Sequence, residues 1–156
     1  MNLVVTGKHS IEQLEAWVTE KFAAVPNKDI KEPDLGQPVH PFPPERLGFI
    51  SKFQPIMDKD QLEITWVLPC LEKEYRTKPL QYFSHLFGHE GENSLLSYLK
   101  HEGLAMALSA GNDHEMSVFS TFTVDITLTK KGLENINDVI AAVFKYAQRI
   151  RDLGPQ

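Results

Sequence analysis

Apolar residues in the second half of the chain recur with two different periods. Apolar and polar side chains alternate along residues 118–128, and again along Gln61–Leu68, which is the pattern of strands with one buried face. After Thr129, apolar residues repeat at spacings of three and four, as on an amphipathic helix. Thr129 is a suitable N-cap for that helix, and the Gly154–Pro155 pair would end it. These patterns predict a domain that combines strands with helices.

Shorter patterns complete the second half of the chain. They predict two more strands, at residues 48–55 and 105–110. They also predict two more helices, one over residues 79–88 and one from Asn93 or Ser94 to Gly103. The predicted strands occur as neighbouring pairs along the chain. We therefore expect a mostly antiparallel sheet with helices packed on one face, which is an α+β fold class.

The first 46 residues have a different character. The segment Leu3–Gly7 predicts a short strand, and Ser10 would cap a helix whose apolar stripe extends to Val25. Six of the ten prolines lie in residues 26–46, which favours an extended linker. We expect residues 1–25 to be the last strand and helix of a preceding domain, 26–46 a linker, and 47–156 a second domain truncated at its end.

Composition narrows the class of protein. A chain of 156 residues with 42% apolar and 24% charged residues is typical of a globular protein, and a net charge of −5 without a basic stripe argues against nucleic-acid binding. The apolar run at the start is too short for a signal peptide or a membrane span. Cys70 is the only cysteine, which we interpret as a small strand residue. The absence of a disulfide partner for it fits a reducing compartment, so a cytoplasmic location is expected.

Two histidines have the spacing of a metal-binding pair. His85 and His89 would share one face of a helix, as zinc ligands do. A hydrolytic zinc helix also carries a glutamate between its histidines, and no such glutamate or obvious third ligand is present. We interpret both as helix-end histidines, and a minimal zinc hydrolase built on them is the weakest alternative.

Several segments resemble the insulin-degrading enzyme and nardilysin family of zinc metallopeptidases, and the similarity is strongest to its nardilysin branch. The similar segments run nearly from end to end, and they include Asn2–Val5, Ile64–Pro69, Gly88–Gly91, Ser94–Leu99, Ser117–Ser120 and Leu153–Gln156. The resemblance implies four homologous α+β domains around a chamber, with an inverted zinc motif (His-x-x-Glu-His) in the first. That motif is missing here, so this chain resembles the end of domain one and most of a non-catalytic domain two. The resemblance implies zinc in the full-length parent and no cofactor in this chain.

The resemblance also implies a substrate-binding exosite that anchors the amino terminus of a peptide. The matching positions lie on a turn and a strand, and they are His85, Gly88, Glu90, Leu108, Ala110 and Asn112. An edge strand can accept a peptide as an additional strand, and a carboxylate can bind the peptide ammonium. Ser84 and Ala110 replace family glycines and would crowd a peptide there, whereas Asn93, which also replaces a glycine, suits a left-handed turn.

Two classes of function follow from these expectations. In the first, the chain is a fragment of a zinc metalloendopeptidase that helps form the substrate chamber, and its partners are peptide substrates and the remaining domains of the parent. In the second, it is a free-standing peptide-binding or interaction module with no peptidase activity. We expect the isolated chain to hydrolyse no peptide and to have no membrane partner. Exposed apolar surface on its first strand and helix is expected to favour self-association.

Overall fold

The computed structural model describes residues 3–31, 42–56 and 59–155. The chain divides into two compact units, Met1–Asp34 and Leu35–Gln156. Each unit has its own local structure, so the two are described in turn.

The first unit contains one helix, α1 (Ile11–Phe22), and the extended segment that precedes it. The Ser10 side chain caps α1 by accepting a hydrogen bond from the Gln13 backbone nitrogen at 3.4 Å, as the sequence predicts. None of the residues of α1 is buried, and only Leu14 and Val18 are half-buried. The strand expected over Leu3–Gly7 is not formed among the described residues. A strand requires a hydrogen-bonded neighbour, and no other strand of this unit is described.

The second unit is built on an antiparallel sheet of three strands. They are β1 (Gln61–Pro69), β2 (Ala105–Glu115) and β3 (Phe119–Leu128), in the spatial order β1-β3-β2. The central strand β3 pairs with both neighbours, so that Trp66 lies opposite Phe122 and Ala110 lies opposite Val124. β2 is longer than the sequence suggests, because pairing with β3 continues past Ala110 to Glu115 through a bulge.

The strand predicted at residues 48–55 is wrong. None of these residues belongs to a strand, and Phe49, Ile50 and Phe53 are 69%, 61% and 86% exposed. Their apolar residues follow the pattern of a strand, but a strand also requires a neighbouring segment whose backbone pairs with it. The sheet described here therefore begins at β1.

Among the described residues of this unit, four α-helices accompany the sheet: α2 (Pro79–Phe87), α3 (Leu95–His101), α4 (Lys130–Glu134) and α5 (Ile136–Leu153). The single final helix expected from the sequence is two helices, because the backbone leaves the helical conformation at Asn135 (φ −114°, ψ 39°). The Asn135 side chain donates a hydrogen bond to the Lys131 carbonyl oxygen at 2.8 Å, so it competes with the helix backbone at that point. In the described ranges, no helix is both long enough and apolar enough to span a membrane.

The core lies between the apolar face of the sheet and the helices. Its fully buried members come from β3, α3 and α5, and they include Val124, Ile126, Leu95, Leu99, Val139 and Val143. On the opposite face of β3, Thr121 accepts a hydrogen bond from the His114 backbone nitrogen at 2.9 Å, and the Thr123 hydroxyl bonds that of Thr65 at 3.0 Å. The central strand is thus buried on both faces, and the predicted α+β fold class is confirmed.

Candidate functional site

The end of α2 is held firmly against the core by aromatic residues. The ring of Phe87 is 4% exposed and packs against Phe122 and Tyr146, with ring centroids 5.6 and 5.4 Å apart. The Tyr146 hydroxyl on α5 donates a hydrogen bond to the Leu86 carbonyl oxygen at 3.0 Å. Burial raises the pKa of Tyr146 above its ordinary value, and the nearby charge of Arg149 lowers it by a smaller amount. These contacts tie the turn after α2 to α5.

α2 ends at Gly88, whose backbone nitrogen donates a hydrogen bond to the Ser84 carbonyl oxygen at 2.8 Å. A β-carbon placed on Gly88 would lie 2.8 Å from the same oxygen and 3.9 Å from the Ala110 backbone nitrogen. A β-carbon on Gly111 would lie 4.0 Å from the Ser84 hydroxyl oxygen. The last turn of α2 therefore lies close to β2 at Ala110 and Gly111. The short distance at Gly88 is to the Ser84 carbonyl oxygen of its own helix, so a side chain at this position would require the end of α2 to shift.

β2 lies at one edge of the sheet. It pairs with β3 along one side, and no strand of the described residues pairs with its other side. Main-chain donors and acceptors along that side are the groups to which an extended peptide could bond as an additional strand. The turn after α2 lies beside this edge.

The structure places Gly88, from the predicted residues of the turn, close to Ala110, from those of the strand. Gly88 and Ala110 are half-buried at the contact between α2 and β2, while His85 and Glu90 are exposed on either side of Gly88 in the sequence. Leu108 is 7% exposed and belongs to the core, so a peptide could reach only its backbone.

Asn112 is exposed farther along β2, where its side chain donates a hydrogen bond to the Glu115 carboxylate at 3.3 Å. Ser84, whose presence in place of a family glycine suggested crowding, turns its hydroxyl to the Leu80 carbonyl oxygen at 2.7 Å. That hydrogen bond directs the hydroxyl back along α2.

The two histidines of the turn do not form a zinc site with their neighbours. The ring centroids of His85 and His89 are 5.9 Å apart. Across residues 3–31, 42–56 and 59–155, no three His, Cys, Asp or Glu side chains are grouped so that they could hold a metal ion. Two imidazoles alone do not supply the three protein ligands of a catalytic zinc ion, so the residues described do not fit zinc.

Sequence reasoning missed two residues that shape this site. Tyr146 lies three residues after the buried Val143, and only this helical spacing could have indicated that it faces the core. Gly91 is the second, since a β-carbon there would lie 2.6 Å from Nε2 of His89. The His89 ring therefore covers the backbone of Gly91, a contact that no pattern in the sequence indicates.

Comparisons with known proteins identify the family. A family model described as the Peptidase M16 inactive domain matches residues 1–156. Human (Homo sapiens) nardilysin is 39% identical over 160 residues, and Drosophila melanogaster insulin-degrading enzyme is 39% identical over 156 residues. The A-factor-processing enzyme of Saccharomyces cerevisiae is 36% identical over 156 residues. All of this chain is covered in each case.

The chain is much shorter than these relatives, since it spans 14%, 16% and 15% of their respective lengths. Among solved structures, the crystal structure of pitrilysin matches 95% of this chain with a TM-score of 0.77 and 21% identity, and the match covers 16% of that protein. This structural similarity supports the α+β fold. From the family model and the sequence identities, we conclude that the chain belongs to the M16 peptidase family and matches its inactive domain.

Proposed function

We propose that this chain is one part of a longer zinc metalloendopeptidase of the nardilysin and insulin-degrading enzyme type. In this proposal, residues 1–25 complete a preceding domain, 26–46 form a linker, and 47–156 belong to the non-catalytic second domain. The description of the matching family model as an inactive domain and the small share of each relative that is covered both support the assignment of this chain to one part of a longer peptidase. Zinc would be held by another domain of the parent.

We further propose that the turn after α2 and the free side of β2 anchor the amino-terminal end of a peptide substrate. The observation that carries this proposal is the contact of Gly88 with Ala110, which places the turn beside an edge strand. Backbone bonding to β2 would hold peptides of many sequences, because it uses only main-chain groups.

Glu90 would add the preference for a free amino terminus. Its side chain is exposed, and in the parts of the chain that the structure describes it forms no ion pair. An ammonium group can therefore reach the carboxylate without displacing another cation. A charge-assisted hydrogen bond would then hold the end of the peptide in one register.

The remaining domains of the parent would cover apolar surface that the first unit leaves open. Val4 and Ile11 are 83% and 78% exposed, and Trp17 is 40% exposed. Exposed apolar side chains in such number are typical of a surface that contacts another protein segment. This supports a role for residues 1–25 in building a larger substrate chamber.

The anchoring proposal is tested by comparing a generic extended peptide with its amino-terminally acetylated form. Acetylation removes the positive charge and leaves the rest of the peptide backbone unchanged. We expect the free peptide to bind about two- to fivefold more tightly, the effect of one exposed ionic contact. The dissociation constant of each form can be measured by fluorescence anisotropy or calorimetry.

A pair of matched variants gives the test its control. Glu90→Gln and Glu92→Gln remove the same charge from two exposed positions of one turn. We expect Glu90→Gln to abolish the preference for the free peptide and Glu92→Gln to retain it. Equal binding of both peptides to the native chain, or equal loss of preference in both variants, would contradict the role of Glu90.

A further inference from the structure

A surface groove lies between α3 and the pair of helices α4 and α5. It is an open groove of about 760 Å³, and we call it the α3–α5 groove. Along α5 its lining extends from Asn135 to Arg149, which corresponds to about 20 Å at 1.5 Å per residue. None of the six predicted site residues lines this groove. It is therefore a separate surface from the proposed anchoring site.

One end of the groove carries two cationic side chains. Lys145 and Arg149 are both exposed and lie four residues apart, so they share one face of α5. Within the described ranges, neither forms an ion pair with a carboxylate. Both charges are therefore available to a ligand, although the chain as a whole has a net charge of −5.

At the other end of the groove, the lining residues bond to one another. Lys131 donates a hydrogen bond from Nζ to the Glu102 carbonyl oxygen at 2.7 Å, and the Glu102 carboxylate lies 3.2 Å from Nδ1 of His101. Asp138 also lines the groove. Since Lys131 is engaged there, the cationic groups that remain free are those on α5.

The shape of the groove favours an extended ligand. Its lining combines polar residues with the small or apolar side chains Leu95, Leu104, Ala141 and Ala142, and Tyr98 is 54% exposed beside them. An extended peptide advances about 3.3 Å per residue, so a length of 20 Å accommodates about six residues. An open, elongated groove fits such a segment better than it fits a compact small molecule, which binds in a pocket that encloses most of its surface.

We propose that the α3–α5 groove binds an extended acidic peptide segment, with ligand carboxylates against Lys145 and Arg149 and ligand backbone along the apolar lining. The basis is charge complementarity between an acidic ligand and the two unpaired cations. Bidentate bonding from the Arg149 guanidinium to a carboxylate would give direction to the contact. This inference does not depend on the anchoring proposal, which concerns a peptide ammonium at another surface.

The test uses the 156-residue chain and a fluorescently labelled hexaglutamate peptide, with hexaglutamine as the neutral comparison, at low ionic strength. Anisotropy is followed as protein is added. We expect hexaglutamate to bind and hexaglutamine not to bind, and we expect added salt to weaken the binding. Failure of hexaglutamate to bind, or equal binding of both peptides, would overturn the proposal.

Two double variants with the same change of net charge distinguish the effect of the cations in the groove from the effect of the net charge of the protein on peptide binding. Lys145→Glu with Arg149→Glu reverses the cations of the groove, whereas Lys28→Glu with Lys31→Glu reverses two exposed lysines of the first unit. We expect the groove variant to weaken hexaglutamate binding about tenfold and the other variant to weaken it less than about twofold. Equal weakening in both variants would overturn the proposal.

A third experiment tests whether the groove prefers a peptide over another ligand of equal negative charge. A short single-stranded oligonucleotide of equal charge competes with labelled hexaglutamate. We expect it to compete only weakly, because the apolar lining and the length of the groove match an extended peptide. Competition equal to that of unlabelled hexaglutamate would show that the groove binds any polyanion, and would overturn the assignment to a peptide.

Discussion

Single side chains decide how the candidate anchoring site is supported. The buried ring of Phe87 and the hydroxyl of Tyr146 hold the end of α2, although neither is among the residues proposed to bind a peptide. Residues of this kind act through position, because a displacement of the turn would separate Gly88 from Ala110. Their contribution can be measured through stability rather than through binding alone.

Replacement of Tyr146 by Phe is predicted to cost about 0.5–1.5 kcal/mol in free energy of unfolding, the net value of one hydrogen bond. The lost bond joins the Tyr146 hydroxyl to the Leu86 carbonyl oxygen. Tyr98→Phe is the matched control, since Tyr98 is 54% exposed and should tolerate the change. Urea denaturation of both variants measures the difference, and an equal loss in both would contradict the prediction.

Tyr146→Phe should also alter how the free energy of unfolding depends on pH. Burial raises the pKa of Tyr146 in the folded chain above its ordinary value of 10.0. The folded state therefore favours the neutral phenol of Tyr146. The contribution of this preference to the free energy of unfolding is complete below pH 10 and is lost as pH rises through the raised pKa. Tyr146→Phe should lose less stability than the native chain between pH 9 and 11, measured by urea denaturation. An identical decline in both would show that ionisation of Tyr146 is not linked to folding.

Helix α4 shows how one element can depend on a single close approach. The Thr129 hydroxyl caps α4 by accepting from the Gly132 backbone nitrogen at 2.9 Å, and it also donates to the Gly103 carbonyl oxygen at 2.7 Å. Gly132 packs so close to Leu104 that a β-carbon would overlap the Leu104 carbonyl oxygen. The start of the last helical region is therefore fixed to the residues that precede β2.

Gly132→Ala is predicted to destabilise the second unit by about 1–3 kcal/mol, because α4 must move away from the Leu104 backbone. In an unconstrained helix the same change would stabilise, since alanine has the higher helix propensity. Lys130→Ala changes an exposed residue of the same helix and should have little effect. Urea midpoints measure the difference, and an unchanged or raised midpoint for Gly132→Ala would disprove the close approach.

At the scale of the whole molecule, the two units differ in how much apolar surface they bury. The second unit has a continuous core, whereas α1 has no buried residue. Apolar surface exposed to water favours association with another surface. In a longer parent, neighbouring domains would cover the exposed apolar surface of the first unit. In the isolated chain, a second copy would cover it.

We therefore predict that the isolated chain self-associates through its first unit. Val4→Lys with Ile11→Lys should lower the fraction of associated species in sedimentation velocity over a range of concentrations. Phe53→Lys with Ile56→Lys places the same charges on exposed apolar positions of the second unit and is the matched control. A native chain that is monomeric at every concentration, or an equal effect of both variants, would contradict the prediction.

Sequence patterns were most reliable where local chemistry alone specifies an element. The alternation in β3, the caps at Ser10 and Thr129, and the α+β class are present in the structure as predicted, and Ser94 is the cap among the two residues that the sequence offered, Asn93 and Ser94. The positions of the anchoring residues came from family resemblance, and the role assigned to them stays a prediction. Leu108 illustrates the difference, because its burial limits it to backbone contacts.

The sequence by itself determined the family, the period of each strand and helix, and the residues that begin the helices, because these depend on neighbours along the chain. Tertiary structure decided which apolar runs become strands: β1 found a partner in β3, whereas residues 48–55 did not. It also decided that Tyr146 supports the turn after α2 and that Gly88 lies close to Ala110. Each of these depends on atoms that are distant in sequence, and local patterns carry no information about such contacts.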